Sequence, residues 1–276
     1  MYEQDKAASV IGYVTMGMAL VPMIAPSIGG AIDHAFGWNA VFWCLFGAGV
    51  LVGALCFFDL GETARGGGIS FSQQINDYPE LLSSRRFWGY VFAAAFSSGA
   101  FFAFLGGAPY VASTVFGLSS FWTGVCLGAP AIGYATGNYL SARFTMNVGI
   151  NGMIRTGGFL GCAAMSIAAL LTLMGFASPL FFFAACSFVG LANGLVIPNA
   201  SAGMLSVRAH LAGTASGLGA AIMIGGGAAL SAFSGVMIQK GGGSLTLTLI
   251  MFGSLFFGLL SILYVDRRER QIDPKT

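Results

Sequence analysis

Residues 17–32, GMALVPMIAPSIGGAI, are apolar enough to enter a bilayer, yet they carry two prolines and three glycines. No Asp, Glu, Lys or Arg occurs from Ala7 to Ile32, a run longer than the roughly 20 apolar residues a spanning helix needs. Pro22, Pro26 and Gly30 recur every four residues and share one helical face, with Gly12 near the same face. Each proline removes a backbone donor and bends the helix, while each glycine lets a second backbone come close. The expectation is a bent membrane helix with one smooth side, made to pack as well as to span.

Composition extends that reading to the whole chain. Hydrophobic residues make up 56% and charged residues 8%, with a mean hydropathy of +0.81, against about 25% charged in soluble proteins. The uncharged runs are 7–32, 34–58, 87–142, 156–207, 211–239 and 241–265. Two of them exceed 50 residues, and each must hold a helical hairpin. Eight transmembrane helices are therefore expected, near 8–32, 38–58, 87–111, 121–142, 155–175, 179–205, 211–236 and 244–265. FGLSS at 116–120 and GFASP at 175–179 divide the long runs with turn-forming residues. Unbroken apolar runs exclude a β-barrel, whose strands alternate in polarity. The fold class is an all-α polytopic membrane protein.

The cations set an orientation. Lys6, Arg65, Arg85, Arg86, Arg143, Arg155, Arg208, Arg267, Arg268, Arg270 and Lys275 fall on the side that also holds both termini, and Lys240 alone falls on the other. The positive-inside rule then puts both termini in the cytoplasm of a bacterial-type inner membrane. The net charge of +2 is a topological signal and points to no nucleic acid partner. Cys44, Cys56, Cys126, Cys162 and Cys186 all lie in expected spans without metal-type spacing, so no metal or cofactor is expected.

The expected spans contain few groups able to do chemistry. Every Asp and Glu, and both His34 and His210, lie at span ends, in connections or in the tail. Without a base beside a nucleophile no intramembrane enzyme is expected. Asn193 and Asn199 sit at membrane depth, where an amide must find partners. They are either interhelical hydrogen-bonders or contacts for a substrate. Pro198 frees a carbonyl one turn earlier and allows the helix to flex.

Small-xxx-small pairs recur at Gly49/Gly53, Gly124/Gly128, Gly133/Gly137, Gly157/Gly161, Gly190/Gly194 and Gly213/Gly217. A further pattern is the echo between EQDKAASVIG at 3–12 and RAHLAGTASG at 208–217. Each opens a glycine- and alanine-rich span, and the two are six helices apart. A parallel six-helix repeat is the internal symmetry of major facilitator transporters.

The stretch around residues 12–30 also resembles motif C of drug-exporting major facilitator proteins, G-x8-G-x3-G-P-x2-G-G, on their fifth helix. Gly12, Pro26, Gly29 and Gly30 match, and Val21 and Ala25 stand where the pattern has glycine. FGWNAVFW at 36–43, FFAFLGGAPYVASTVFGLSS at 101–120, GLANGLVIPNASAGML at 190–205 and HLAGTASG at 210–217 resemble, in order, segments of the Bcr/CflA group of drug:proton antiporters.

That resemblance implies a partial major facilitator fold, helices five to twelve of the family. Residues 1–58 correspond to the last two helices of the N-terminal bundle, 59–86 to a cytoplasmic central loop with a short surface helix in 71–84, 87–265 to the six-helix C-terminal bundle, and 266–276 to a cytoplasmic tail. The expected function is proton-coupled efflux of small amphipathic molecules. In the family the proton-coupling acid lies on the first helix, so four N-terminal helices and that acid are expected to lie outside this chain. The chain is then a truncated transporter, or a non-catalytic remnant or split subunit that needs a partner chain.

In the family motif C gates the cavity, which assigns packing and gating to Gly12, Pro22, Pro26, Gly29 and Gly30. Phe101, Phe104, Pro109 and Tyr110 fall on a helix whose counterpart lines the cavity, making them candidate substrate contacts together with Asn193, Pro198 and Asn199. The counterpart of the fourth span touches the motif C helix, so Gly12 to Gly30 is expected to pack against Gly124, Gly128, Gly133 and Gly137.

Overall fold

Glycine and proline punctuation, read from the sequence as turns, bounds the helices of the computed structural model, which describes residues 28–29, 32, 35–59 and 78–272. Gly37, with φ of +80°, precedes helix α1, Trp38–Asp59. Ser84 accepts a hydrogen bond from the Phe87 amide and caps α2, Arg85–Tyr110. Pro109 interrupts the hydrogen-bond ladder near the end of α2, and the chain widens there into a π-helical turn, Val111–Val115. The FGLSS turn follows, with Gly117 at φ +64° and Ser119 capping α3, Ser120–Leu127. The remaining helices are α4, Ala129–Val148; α5, Ile150–Leu173; α6, Pro179–Ser206; α7, Ala212–Gln239; and α8, Ser244–Ile272. Six of the described helices are long and apolar enough to cross a membrane: α1, α2 with its π-helical turn, α5, α6, α7 and α8.

Two helices form the centre of the bundle. α2 packs against α7, α8 and α6, and α6 packs in turn against α4 and α5, while α8 bridges α2 and α5. Phe87, Phe104, Ile154, Met165, Leu247, Met251 and Ile262 are fully or almost fully buried between them. Without an aqueous hydrophobic drive inside a bilayer, such helices are held by close van der Waals fit and interhelical hydrogen bonds. α1 buries none of its residues, and α7 leaves most of its surface uncovered.

The structure changes several sequence expectations. The span expected at 121–142 is two helices broken at Gly128, and its second half runs past Arg143 to Val148. Pro130, at the start of α4, has no N–H to continue the α3 ladder, so the helix must restart. The helix expected at 244–265 continues to Ile272, taking in the first part of the expected tail, because Asp266 and Glu269 find arginine partners on α5 and α2. α5 starts at Ile150, directly after Gly149 at φ +79°, five residues before its expected start. Within the connection 59–86 a helical turn occupies 78–82. The expected first span lies outside the described residues apart from 28, 29 and 32.

The glycine pairs also sort themselves. Gly133 and Gly137 of α4 lie against the backbone of Ser187, Leu191 and Gly194, and Gly190 and Gly194 of α6 lie against Pro130, Tyr134 and Asn138. That face of α4 is covered by α6; residues 12–27 and 30, on which Gly133 and Gly137 are expected to pack, lie outside the described residues. Gly157 and Gly161 of α5 meet Ala192, Leu195 and Leu255. Among the described residues, Gly124, Gly49, Gly53, Gly213 and Gly217 have nothing in reach of an added β-carbon, and Gly128 meets its own preceding turn.

Candidate functional site

The α4–α6–α2 seam contains the amides singled out in the sequence. α6 carries Asn193 and Asn199 six residues apart, and each is 3% exposed. The Ser97 hydroxyl of α2 donates to Asn193 Oδ1 at 2.6 Å. Asn199 Nδ2 donates to Ser141 Oγ of α4 at 2.7 Å and to the Leu195 carbonyl at 2.8 Å, and Asn199 Oδ1 accepts from the Thr145 hydroxyl at 3.0 Å. The bond to Leu195 lies in the turn where Pro198 weakens the ladder. Both amides thus join helices, as polar groups at membrane depth must. Pro198 is half-buried beside them.

The aromatic candidates separate by burial. Phe104 is fully buried, edge-on to Phe183 of α6 with centroids 6.3 Å apart. Phe101 stacks on Phe104 at 6.3 Å and keeps part of its surface open. Pro109 and Tyr110 are exposed at the end of α2, where the Pro109 carbonyl accepts from Ser113 Oγ at 2.8 Å. An open aromatic surface exists at Phe101 and Tyr110, and none at Phe104. Gly12, Pro22, Pro26 and Gly30 lie outside the described residues; Gly29 lies within them, and no described residue is in reach of a β-carbon added there.

A charged cluster that the sequence reading did not anticipate joins one end of the bundle. Glu269 Oε1 of α8 pairs with Arg86 of α2 at 2.5 Å and accepts from the Tyr90 hydroxyl at 3.2 Å, while Oε2 accepts from Asn151 Nδ2 of α5 at 2.6 Å. One turn earlier on α8, Asp266 pairs with Arg155 of α5 at 3.3 Å. Glu80 pairs with Arg208 at 2.7 Å, tying the turn at 78–82 to the α6–α7 connection. The only sequence signal for these pairs was opposite charge at span ends, which says nothing of partner. Ser97, Ser141, Thr145, Asn193 and Asn199 are neutral groups hydrogen-bonded between helices, an arrangement suited to holding those helices in register.

Comparison with known proteins places this architecture. Residues 1–232 match the sequence model of the Major Facilitator Superfamily. The chain is 30% identical over 224 residues to a bicyclomycin resistance protein homolog of Haemophilus influenzae, covering 79% of this chain and 55% of that protein. It is 26% identical over 280 residues to the multidrug transporter MdfA of Edwardsiella piscicida, covering 97% and 66%, and 25% identical over 222 residues to a chloramphenicol resistance protein of Pseudomonas aeruginosa, covering 76% and 50%. The chain spans about half to two thirds of the length of these relatives. The Bcr-type resemblance read from the motifs agrees with them. A multi-pass helical membrane protein whose sequence matches one family over most of its length, the chain belongs to the Major Facilitator Superfamily.

Proposed function

We propose that this chain forms part of a proton-coupled exporter of small amphipathic molecules, with residues 87–265 as its six-helix C-terminal bundle. The observation that carries this reading is the family match over residues 1–232 together with relatives named for drug resistance. On it, eight spans cross a bacterial inner membrane with both termini cytoplasmic, as the arginine distribution favours. Phe101, Pro109 and Tyr110 offer a substrate an apolar, aromatic surface of the kind such pockets use. Gly12, Pro22, Pro26, Gly29 and Gly30 act as the motif C hinge and seal. The coupling proton is carried by an acid on the family's first helix, outside residues 1–276; among the described residues every Asp and Glu lies in the last two turns of a helix or in a connection.

The faces of α1 and α7 that no described residue covers favour a related reading, in which the chain works only with further helices seated on those faces. One experiment addresses both. Cells expressing residues 1–276 alone are expected not to export a hydrophobic dye. Cells that also express the four-helix N-terminal segment of the Haemophilus influenzae relative are expected to export it until a protonophore is added. Protonophore-sensitive export by residues 1–276 alone would overturn the assignment of coupling to outside helices. No export in either case, with both segments inserted, would favour a remnant without transport activity.

A further inference from the structure

A groove of about 400 Å³ runs along the outer surface of the bundle between α2 and α8. Arg85, Trp88, Phe92 and Phe96 of α2 form one wall, and Phe257 and Tyr264 of α8 belong to the other. Its floor is closed because α2 and α8 touch there: Gly89 lies directly against Val265, leaving no space for a side chain. The apolar part is a continuous aromatic ladder. Trp88 and Phe92 stack at 5.2 Å, Phe92 and Phe96 lie 6.0 Å apart, and Phe96 meets Phe257 at 5.7 Å. The indole N–H of Trp88 donates to the Leu82 carbonyl at 2.7 Å, which fixes the ring as a wall.

One end of this groove is cationic. Arg86, Arg155 and Arg208 are each paired with a carboxylate, whereas Arg85, Arg267 and Arg268 make no ion pair among the described residues. Arg85 and Tyr264 line the groove, and Arg268 lies one turn beyond Tyr264 on α8, on the same helical face. From Arg85 to Phe96 is eleven residues, about 16 Å of helix, close to the roughly 15 Å thickness of one leaflet of a bilayer core. A phosphate held at the mouth would therefore send its acyl chain down the ladder. Basic pockets between helix ends at a membrane surface suit anionic headgroups in this way.

We propose that the α2–α8 groove is a selective site for an anionic phospholipid, its phosphate held between Arg85 and Arg268 and one acyl chain lying on Trp88, Phe92, Phe96 and Phe257. The occupant is a lipid and not a free phosphate, because most of the groove is aromatic and lies at acyl-chain depth. The site rests on the chain being membrane-embedded but not on which leaflet holds it. Its test in symmetric vesicles is thus separate from any test of orientation or transport.

The full chain with Trp38→Phe, Trp43→Phe and Trp122→Phe retains Trp88 as its single tryptophan. It is reconstituted into phosphatidylcholine vesicles containing either brominated phosphatidylglycerol or brominated phosphatidylcholine. Phosphatidylglycerol is expected to quench Trp88 with at least about fivefold higher relative affinity, the preference expected from one guanidinium at an anionic surface. Arg85→Gln with Arg268→Gln is expected to remove that preference, and Arg85→Lys with Arg268→Lys to retain most of it. Soluble glycerophosphate is expected to leave the quenching unchanged. Equal quenching by the two lipids, preference surviving in the glutamine variant, or displacement by glycerophosphate would each overturn the proposal. Native mass spectrometry of the unsubstituted chain from an equimolar lipid mixture reads the same preference without the tryptophan changes, and equal adduct intensities there would also overturn it.

Discussion

Gly190 of α6 lies directly against the carbonyl oxygen of Pro130 of α4, so close that a β-carbon at Gly190 would overlap it. The neighbour is backbone and cannot turn away. Gly190→Ala is therefore expected to push α4 from α6 and to cost about 1–3 kcal/mol, the range for overpacking a close contact. Gly253→Ala on α8, where an added β-carbon meets nothing within 4 Å, is expected to leave stability unchanged. Thermal unfolding of the two variants in one detergent compares them, and equal midpoints would contradict the α4–α6 crossing.

Asn199 ties α6 to α4 through Ser141 and Thr145, and Asn193 ties α6 to α2 through Ser97. Interhelical hydrogen bonds inside membranes average about 0.6 kcal/mol and reach about 1.7. A double-mutant cycle with Ser97→Ala and Asn193→Ala is expected to give a coupling energy in that range. Asn199→Leu is expected to cost more than Asn193→Leu, because it removes hydrogen bonds to two hydroxyls of the neighbouring helix instead of one. A coupling of zero in the cycle would remove the Ser97–Asn193 bond from the account.

Glu269 connects three helices, reaching Arg86 and Tyr90 of α2 and Asn151 of α5. The ion pair is partly exposed, with side chains 40% and 29% accessible, so on its own it contributes no more than about 1 kcal/mol. The hydrogen bonds to Tyr90 and Asn151 add to it. Glu269→Ala is expected to destabilise by about 1–2 kcal/mol and Glu269→Gln by less, since the amide keeps an acceptor. Arg267→Ala, which removes no ion pair among the described residues, is the control, and the Glu269→Ala deficit is expected to shrink at high salt as screening weakens the pair in the parent.

The five cysteines report folding directly. Cys186 is fully buried and Cys162 nearly so, whereas Cys44 and Cys56 are exposed on α1. In detergent a maleimide dye is expected to label Cys44 and Cys56 at once, and Cys162 and Cys186 only as the bundle opens on heating. Immediate labelling of Cys186 would contradict the packing of α6 in the core.

Several features follow from local chemistry and were readable in the chain itself. The turns at FGLSS and GFASP and the membrane-embedded class depend on hydropathy and on glycine and proline, which act where they stand. The motifs around residues 12–30, 101–120 and 190–217 carried the family. Asn193 and Asn199 were recognisable as groups needing partners, because an amide in hydrocarbon cannot stay unpaired.

What the chain alone left open was which surfaces meet. Lipid tails and neighbouring helices are equally apolar, so no hydropathy pattern separates a lipid-facing stripe from a helix-facing one. Hence Gly133/Gly137 and Gly190/Gly194 looked like any other glycine pair until the α4–α6 crossing joined them, and Phe104 looked like Phe101 until burial separated them. The extension of α8 to Ile272 belongs to the same class, settled by Arg86 and Arg155, partners distant in sequence.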